Sequence, residues 1–443
     1  MNEARSWRGR GRGPVPPSIS TPKAATRAES VPDAMRESTL DNGIRVLSEK
    51  IPGVRSAAVG VWIRQGAAHE TLELTGISHL VEHLVFKGTA KRSAPEIAEA
   101  LEGLGGSLDA YTSREHTSYQ ARVLEEHLPE ALDVLSDLVM EPLLDGADLA
   151  LEREVVLEEL AQVEDTPDDL VFELHSDRLW GGHPYGRSIL GTKESVAAMP
   201  IEALRALHGE RYVGRNLIVA AAGSVDHEDF VARVDSLFGR VTPGERVASL
   251  DRPGTVAPEV CLVERSSAQT HIVFGTEGPG HAHDDRYPVI LLSAALGGGM
   301  SSRLFQRVRE ELGLCYSVFT YQSFYRMAGV FGIYVGTRPA TAERAADAVR
   351  AELQRVAGEG LSEFDLDRIK RQVKGQVMLG LESTGARLHR LAAFALHEQP
   401  FAGLDDVLAR IEGVTMDDTR RVAARYFDPD RHLELRLGPG AES

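Results

Sequence analysis

Cysteine is scarce in this chain of 443 residues, which holds two of them, Cys261 and Cys315. Two cysteines cannot form the disulfide framework of a small secreted domain, so a reducing compartment is the simpler expectation. Long apolar runs are missing as well, because no stretch reaches the roughly 18 residues that a membrane-spanning helix requires. The first 30 residues also lack the apolar segment of a secretory signal. These absences favour a cytoplasmic location of the bacterial type.

Basic residues are in the minority, with 49 Lys and Arg against 66 Asp and Glu and a net charge of −17. This balance argues against a nucleic-acid-binding surface. The start of the chain differs, since it is rich in Arg, Ser, Pro and Gly. Pro and Gly prevent a sustained amphipathic helix there, so we expect a disordered tail over residues 1–35. A mitochondrial transit peptide, and with it the mitochondrial matrix, is the alternative.

The predicted order of strands and helices occurs twice along the chain. The stretch "SAAVGVWIRQGAAHETLELT" is a strand followed by a polar loop and a helix, and "AQTHIVFGTEGPGHAHDDRY" repeats that order after a polar segment. We therefore predict a duplicated α+β fold with domains at residues 36–240 and 259–443, joined by a linker at residues 241–258.

The two predicted copies differ in the residues that carry chemistry. Alignment of "LDRIKRQVK" with "LEREVVLEE" places Lys374 where the first copy has Glu159. The second copy also has no pair of histidines at helical spacing. Any chemistry that depends on those residues therefore belongs to the first copy.

One short segment, "TGISHLVEHLVFKGT", places three ionisable side chains within five positions of a predicted helix: His79, Glu82 and His83. Positions four apart lie one above the other on a helix, so two imidazoles can point at one metal ion. Glu82 lies one turn after His79 and can reach a water on that ion without being a ligand. Ordinary surface polarity is the alternative, but three ionisable groups on an otherwise apolar helix are costly unless they are paired or coordinated.

A catalytic zinc site needs a third protein ligand and an open position. A later predicted helix offers several carboxylates for this role: Glu152, Glu154, Glu158 and Glu159. Glu152 and Glu159 are seven positions apart and share one face of that helix. Residue types alone leave the choice among the four open.

The helix predicted to follow begins at Thr166 and Pro167, a favourable N-cap and first helical residue. It carries Asp169 and Glu173 four positions apart on one face. Such a carboxylate pair can hold a guanidinium group through charge-assisted hydrogen bonds. A solvated helix face whose acids favour the helix dipole is the alternative.

From about residue 38 to 438, the chain resembles the inverzincin metallopeptidases of the pitrilysin and insulinase group. Within that group it is similar to the short branch that contains mitochondrial processing peptidase and its bacterial relatives. The resembling stretches follow the family's order along the chain: "GISHLVEHLVFKGT", "EREVVLEE", "HPYGRSILGT" and "GGGMSSRLFQRVREELGLCYSV". The resemblance implies two homologous α/β sandwich domains in tandem, the LuxS/processing-peptidase-like metallohydrolase fold, which face each other across a clam-like chamber.

The resemblance also implies a zinc-dependent endopeptidase with one Zn²⁺ ion per chain. The implied ligands are His79, His83 and Glu159, and Glu152 is the companion carboxylate of the third ligand. Glu82 is the implied general base, which takes a proton from water and later passes it to the leaving amine.

Three further regions belong to the implied site. Arg309 and Tyr316 match the family's Arg-x6-Tyr segment and are donors suited to the oxyanion that forms during hydrolysis. The strand "SLDAYTSREHT" is implied to bind substrate as an added strand; its Asp109 stands where the family often has Asn, and a plain hairpin residue is the alternative. The stretch "DDLVFE", with Asp169 and Glu173, lies where processing peptidases place acids that recognise an arginine near the cleaved bond.

The expected partners are a peptide or unfolded polypeptide substrate and a second identical chain in a homodimer, with neither nucleic acid nor a membrane span. A non-catalytic peptide-binding or structural subunit of the same family is the competing hypothesis. Such subunits typically lack the zinc residues, whereas His79, Glu82, His83 and Glu159 are all present. The enzyme is therefore the favoured interpretation.

Overall fold

Two β-sheets with their covering helices make up the part of the chain that the structure, a computed structural model, describes: residues 35–254 and 257–439. The tail expected over residues 1–35 lies outside this part, except for Met35. None of the helices in the described ranges combines the length and the apolar character that crossing a bilayer requires. Cys261 and Cys315 are both free thiols.

The first sheet has six strands: β1 (Met35–Thr39), β2 (Arg45–Lys50), β3 (Ser56–Ile63), β4 (Ser107–Thr112), β5 (Thr117–Leu124) and β6 (Leu217–Gly223). Their order across the sheet is β1-β2-β6-β3-β5-β4. The pair β2 and β6 is parallel, and the other neighbours are antiparallel. Strand β4 therefore lies at one edge of this sheet.

The second sheet has five strands: β7 (Val260–Glu264), β8 (Thr270–Gly278), β9 (Cys315–Phe324), β10 (Gly329–Thr337) and β11 (Leu433–Gly438). Their order is β7-β11-β8-β10-β9, with β7 and β11 parallel and the other neighbours antiparallel. This arrangement reproduces β2-β6-β3-β5-β4 of the first sheet strand by strand. The predicted fold class, two similar α/β domains in tandem, is confirmed.

The α-helices follow the same division. Those of the first half are α1 (Ile77–Val85), α2 (Ala94–Glu102), α3 (Leu128–Met140), α4 (Gly146–Asp165), α5 (Pro167–Trp180), α6 (Lys193–Ala198), α7 (Ile201–Arg211) and α8 (His227–Phe238). Those of the second half are α9 (Arg286–Gly297), α10 (Ala342–Glu359), α11 (Glu363–Gly380), α12 (Thr384–Leu396), α13 (Leu404–Glu412) and α14 (Met416–Tyr426). A π-helical segment, Phe305–Glu311, precedes β9.

Strand β3 shows how the first sheet is buried on both faces. Its alternate residues point to opposite sides, as the two-residue period of a strand requires. Val59 and Val61 pack into a core that includes Leu132 of α3. Ala58 and Trp62 pack into a separate cluster on the other face. This double burial explains why β3 reads as a nearly continuous apolar run.

The helix that covers the other face of the first sheet comes from the second half of the chain. Leu388 and Leu391 of α12, both buried, pack against Trp62. In return, α5 of the first half lies on the second sheet, where Val171 packs against Val273 and Leu435. Each half therefore completes the hydrophobic cover of the other.

Candidate active site

Helix α1 carries the two histidines on its polar face. Its apolar residues, among them Leu80 and Leu84, are buried in the core of the first half. The helical period therefore turns His79, Glu82 and His83 away from that core. The imidazole rings of His79 and His83 lie with their centroids 4.5 Å apart.

Helix α4 packs against α1 and brings a carboxylate to the histidine pair. Asp145 caps its N-terminus by accepting a hydrogen bond from the Ala147 amide at 2.7 Å. Fourteen residues after this cap, Glu159 lies with Oε2 3.7 Å from His79 Nε2 and Oε1 3.8 Å from His83 Nε2. The two histidines and the carboxylate that the family resemblance implied as the third ligand are thus brought together.

The spacing of these atoms fits a metal ion. One ligand atom from each of His79, His83 and Glu159 lies within 4.8 Å of the others. The nitrogen–oxygen separations are too long for hydrogen bonds. They suit an ion between the atoms, because Zn–N and Zn–O bonds are about 2.0–2.2 Å long. No other group of three or more such residues in the described ranges meets this criterion.

Glu152 determines which nitrogen of His83 is available to the metal. Its Oε2 lies 2.9 Å from His83 Nδ1, and its Oε1 lies 2.5 Å from Lys87 Nζ. Burial alone would raise the pKa of Glu152, but the hydrogen bonds from Lys87 and His83 hold that pKa below its ordinary value. An ionised Glu152 accepts a hydrogen bond from Nδ1–H of His83 and leaves Nε2 with its lone pair free.

His79 is also suited to be a neutral ligand. Burial and, to a smaller extent, the neighbouring His83 lower its pKa to about 4. The imidazole therefore carries no charge at neutral pH, which is the form that coordinates a metal.

Glu82 points toward the end of the edge strand β4. Its Oε2 accepts a hydrogen bond from Thr112 Oγ1 at 2.6 Å. Burial raises the pKa of Glu82, against the opposing effects of the Thr112 hydrogen bond and the nearby His83. A carboxyl group whose pKa is shifted upward is suited to exchange protons near neutral pH.

Asp109 lies on β4, which has a strand neighbour on one side, β5. Its side chain is exposed, and its backbone pairs with Gln120. Within residues 35–254 and 257–439, the Asp109 carboxylate makes no hydrogen bond or ion pair. The outer edge of β4 is free of strand partners in the same ranges, as an added peptide strand would require.

Arg309 and Tyr316 lie together in the second half. The guanidinium carbon of Arg309 is 5.1 Å from the centre of the Tyr316 ring and 4.6 Å from that of Phe305. Tyr316 is 77% exposed and borders an open depression that Met300 and Phe319 also line. Across the described part of the chain, no hydrogen bond or ion pair joins Arg309 or Tyr316 to α1.

Asp169 and Glu173 lie on α5, the helix that covers the second sheet. Asp169 is exposed and Glu173 is half-buried. The pKa of Tyr334 on β10 is raised to about 12, first by burial and then by the charges of Asp168 and Asp169. Helix α5 packs on the second sheet, and among the described residues no hydrogen bond or ion pair joins Asp169 or Glu173 to the histidine pair.

Two residues of this site were missed by the sequence analysis: Thr112 and Lys87. Lys87 follows His83 by four positions, a helical spacing that carried a usable signal. Thr112 ends an alternating strand, and nothing local shows that it meets Glu82.

Two peptidase families match the chain. Residues 45–193 match the family described as Insulinase (Peptidase family M16), and residues 198–373 match the family described as Peptidase M16 inactive domain. The His79 helix and Glu159 fall within the first match. Arg309 and Tyr316 fall within the second.

Similar proteins cover nearly the whole chain. A protein of Streptomyces coelicolor named uncharacterized zinc protease is 39% identical over 412 residues, 91% of this chain and 90% of its own. Uncharacterized zinc protease YmxG of Bacillus subtilis is 37% identical over 397 residues, 90% of this chain and 97% of its own. The crystal structure of a protease from Helicobacter pylori shares the fold, with a TM-score of 0.86 at 23% identity over 91% of this chain and 99% of its own.

Proposed function

Because the chain belongs to the insulinase family of peptidases, family M16, we propose that it is a zinc-dependent endopeptidase that cleaves peptides or unfolded polypeptide segments. The observation that carries this proposal is the geometry of His79, His83 and Glu159, whose ligand atoms lie within 4.8 Å of one another. Zinc, when bound by these residues, supplies a Lewis acid that activates water toward a peptide carbonyl.

Glu82 is the proton carrier in this proposal. It takes a proton from the attacking water and delivers it to the amine that leaves when the peptide bond breaks. The hydrogen bond from Thr112 holds one carboxylate oxygen in place and leaves the other for the water. Glu152 holds the tautomer of His83 throughout the cycle.

The substrate binds along β4 as an added strand. Main-chain hydrogen bonds to the free edge give affinity with little demand on sequence, which suits an enzyme for unfolded segments. Asp109, exposed on that strand, is a candidate contact to the peptide. Asp169 and Glu173 on α5 are candidate contacts to an arginine near the cleaved bond.

Arg309 and Tyr316 are the proposed donors to the developing oxyanion. They reach it across a clam-like chamber, and we expect the working form to be a homodimer. The two free thiols fit a reducing, bacterial-type cytoplasm.

Metal analysis of the purified chain, together with turnover of an internally quenched peptide, tests the proposal. We expect one zinc ion per chain, loss of turnover after removal of zinc by a chelator, and recovery when zinc is returned. Turnover that persists in metal-free protein would contradict it.

A further inference from the structure

The buried carboxylate of Glu70 accepts hydrogen bonds from backbone amides at the start of α1. Glu70, which is 6% exposed, accepts a hydrogen bond from the Gly76 amide through Oε2 and one from the Ser78 amide through Oε1, each at 2.8 Å. The first peptide N–H groups of a helix have no partner within the helix and need an outside acceptor. Glu70 supplies that acceptor from six residues before the N-cap.

The N-cap residue itself cannot supply this acceptor through a side chain. The N-cap residue is Gly76, whose φ of 92° lies in the left-handed region and which has no side chain to cap the helix. A Cβ atom at Gly76 would lie 2.7 Å from the Leu190 carbonyl oxygen. The helix start is therefore pressed so closely against the neighbouring segment that the usual capping residues, Ser, Thr, Asp or Asn, cannot occupy the position.

The neighbouring segment is "HPYGRSILGT", which the sequence analysis singled out without giving it a role. The Arg187 guanidinium donates a hydrogen bond to the backbone carbonyl of Glu70. Shortly after the segment, Ser195 Oγ donates to the Thr75 carbonyl at 2.7 Å. The Glu70 carboxylate and the side chains of Arg187 and Ser195 thus all form hydrogen bonds to the backbone of residues 70–78, at the start of α1 and just before it.

The cost of burying Glu70 argues against a role in fold stability alone. Burial raises its pKa to about 7, although the bonds from Ser78 and Gly76 and the charge of Arg187 oppose the rise. Because the pKa of Glu70 is higher in the folded state than its ordinary 4.5, its ionisation lowers the free energy of unfolding as the pH rises from 4.5 through about 7. A carboxylate kept under such conditions is better explained by what it positions.

What Glu70 positions is the first turn of α1. This helix has nine residues, and helices of that length are not stable by themselves in water. His79 directly follows Ser78, whose amide Glu70 holds. A shift of this turn would move His79 relative to His83, which lies one turn later on α1, and relative to Glu159, which lies on α4.

We propose that Glu70 is a positioning residue of the metal centre: its two carboxylate oxygens hold the first turn of α1 and thereby aim His79 at the ion. This inference rests on the proposed zinc peptidase function and adds a residue that acts through His79 without touching metal or substrate.

The test compares Glu70→Gln with Glu73→Gln. A glutamine keeps one acceptor oxygen but places an NH₂ group against the second peptide N–H. Glu73 is an exposed glutamate of the same loop and provides the matched control. Zinc affinity is measured by competition with a chromophoric chelator, and the visible spectrum of cobalt-loaded protein reports the ligand geometry.

In Glu70→Gln we expect zinc affinity to fall about 10–100-fold, as for other residues that orient a metal ligand. The cobalt spectrum should change, kcat should fall, and KM should stay near that of wild type, since no peptide contact is altered. The melting temperature of the zinc-free variant should change little at pH 8. Glu73→Gln should match wild type in every measurement.

Equal zinc affinity and equal cobalt spectra in the two variants would overturn the inference. If Glu70→Gln does not fold, Arg187→Met decides: weaker zinc binding with a changed cobalt spectrum supports the inference, and unchanged binding overturns it. Failure of wild-type protein to bind zinc or cleave peptides is a separate outcome, because it refutes the proposed function itself.

Discussion

The two halves of the molecule share the strand order of five strands but differ at the position where the first half brings its candidate metal ligands together. In both halves a helix that follows the central strand packs on a long helix, α1 on α4 and α9 on α11. On α4, Glu159 faces two imidazoles. On α11, the residue aligned with it is Lys374, whose Nζ lies 2.5 Å from Glu412 Oε2. The second half thus has an ion pair at the position where the first half has a candidate metal ligand.

The same strand order therefore occurs in a half that lacks the candidate metal ligands. Helix α9 has no histidine and instead buries Ser293, whose hydroxyl bonds to Thr320 and Gln322. The second sheet nevertheless has the same strand order as the first. A few side chains on two helices therefore distinguish the half that carries the candidate metal ligands from the half that lacks them.

The largest effect is expected for Glu159→Lys, which gives the first half the residue type that Lys374 provides in the second. The positive charge beside His79 and His83 should abolish zinc binding, and with it peptide hydrolysis. The fold should survive, because the Glu159 side chain is 37% exposed. Glu158→Lys, at an exposed neighbouring position, should keep both metal and activity. Zinc analysis and circular dichroism check this, and retained zinc in Glu159→Lys would exclude Glu159 as a ligand.

A smaller effect, on turnover alone, is expected for Glu82→Gln. Hydrolysis should fall by about 10²–10⁴-fold because the general base is lost. Zinc should remain at one ion per chain, since the ligands are intact. Glu154→Gln, exposed on α4, is the control and should behave as wild type. Loss of zinc in Glu82→Gln would show that Glu82 had been assigned the wrong role.

Tyr316→Phe tests whether the second half contributes to catalysis at all. We expect turnover to fall about 10²-fold, the usual cost of removing one donor to an oxyanion. Folding and zinc content should not change, because Tyr316 is largely exposed.

Mixing Tyr316→Phe chains with Glu82→Gln chains sharpens this prediction. If the donors act across a homodimer, the mixture recovers part of the wild-type activity, since one of the two sites regains both residues. Activity that stays at the level of the separate variants would mean that both residues act within one chain.

The smallest effect concerns specificity. Peptides with an arginine near the cleaved bond should be cut faster than their alanine analogues, and the double change Asp169→Asn with Glu173→Gln should remove most of that preference. Cleavage of the alanine peptides should stay the same. Asp177→Asn, an exposed acid on the same helix, should leave the preference intact. A preference that survives the double change would remove α5 from the recognition site.

The parts of the site that could be predicted from sequence are those set by helical periodicity. The four-residue spacing of His79 and His83 and the seven-residue spacing of Glu152 and Glu159 determine which side chains share a face. The packing of α1 on α4 then brings Glu159 to the histidines. The hydrogen bonds that the amides of Gly76 and Ser78 donate to Glu70 had no such periodic signal, because they depend on the path of a loop.

The sequence also did not predict that α5 packs on the second sheet and α12 on the first. Apolar residues such as Val171 and Leu391 show that each helix is buried but not which sheet buries it. The contacts of the segment predicted as a linker could not be predicted either, although its polar composition was evident. Its Thr242 carbonyl accepts a hydrogen bond from the Gly214 amide, and its Val247 amide donates one to Asn216 Oδ1. The boundaries at residues 36–240, 241–258 and 259–443 stay predictions that limited proteolysis can test.

The most direct test of the difference between the halves is a crystal grown with zinc and measured at the zinc absorption edge. We expect one anomalous peak per chain, at a zinc ion bonded to Nε2 of His79, Nε2 of His83 and a carboxylate oxygen of Glu159, with no peak beside Lys374. An anomalous map without a peak at the three ligands, or with a second fully occupied site in the second half, would contradict it.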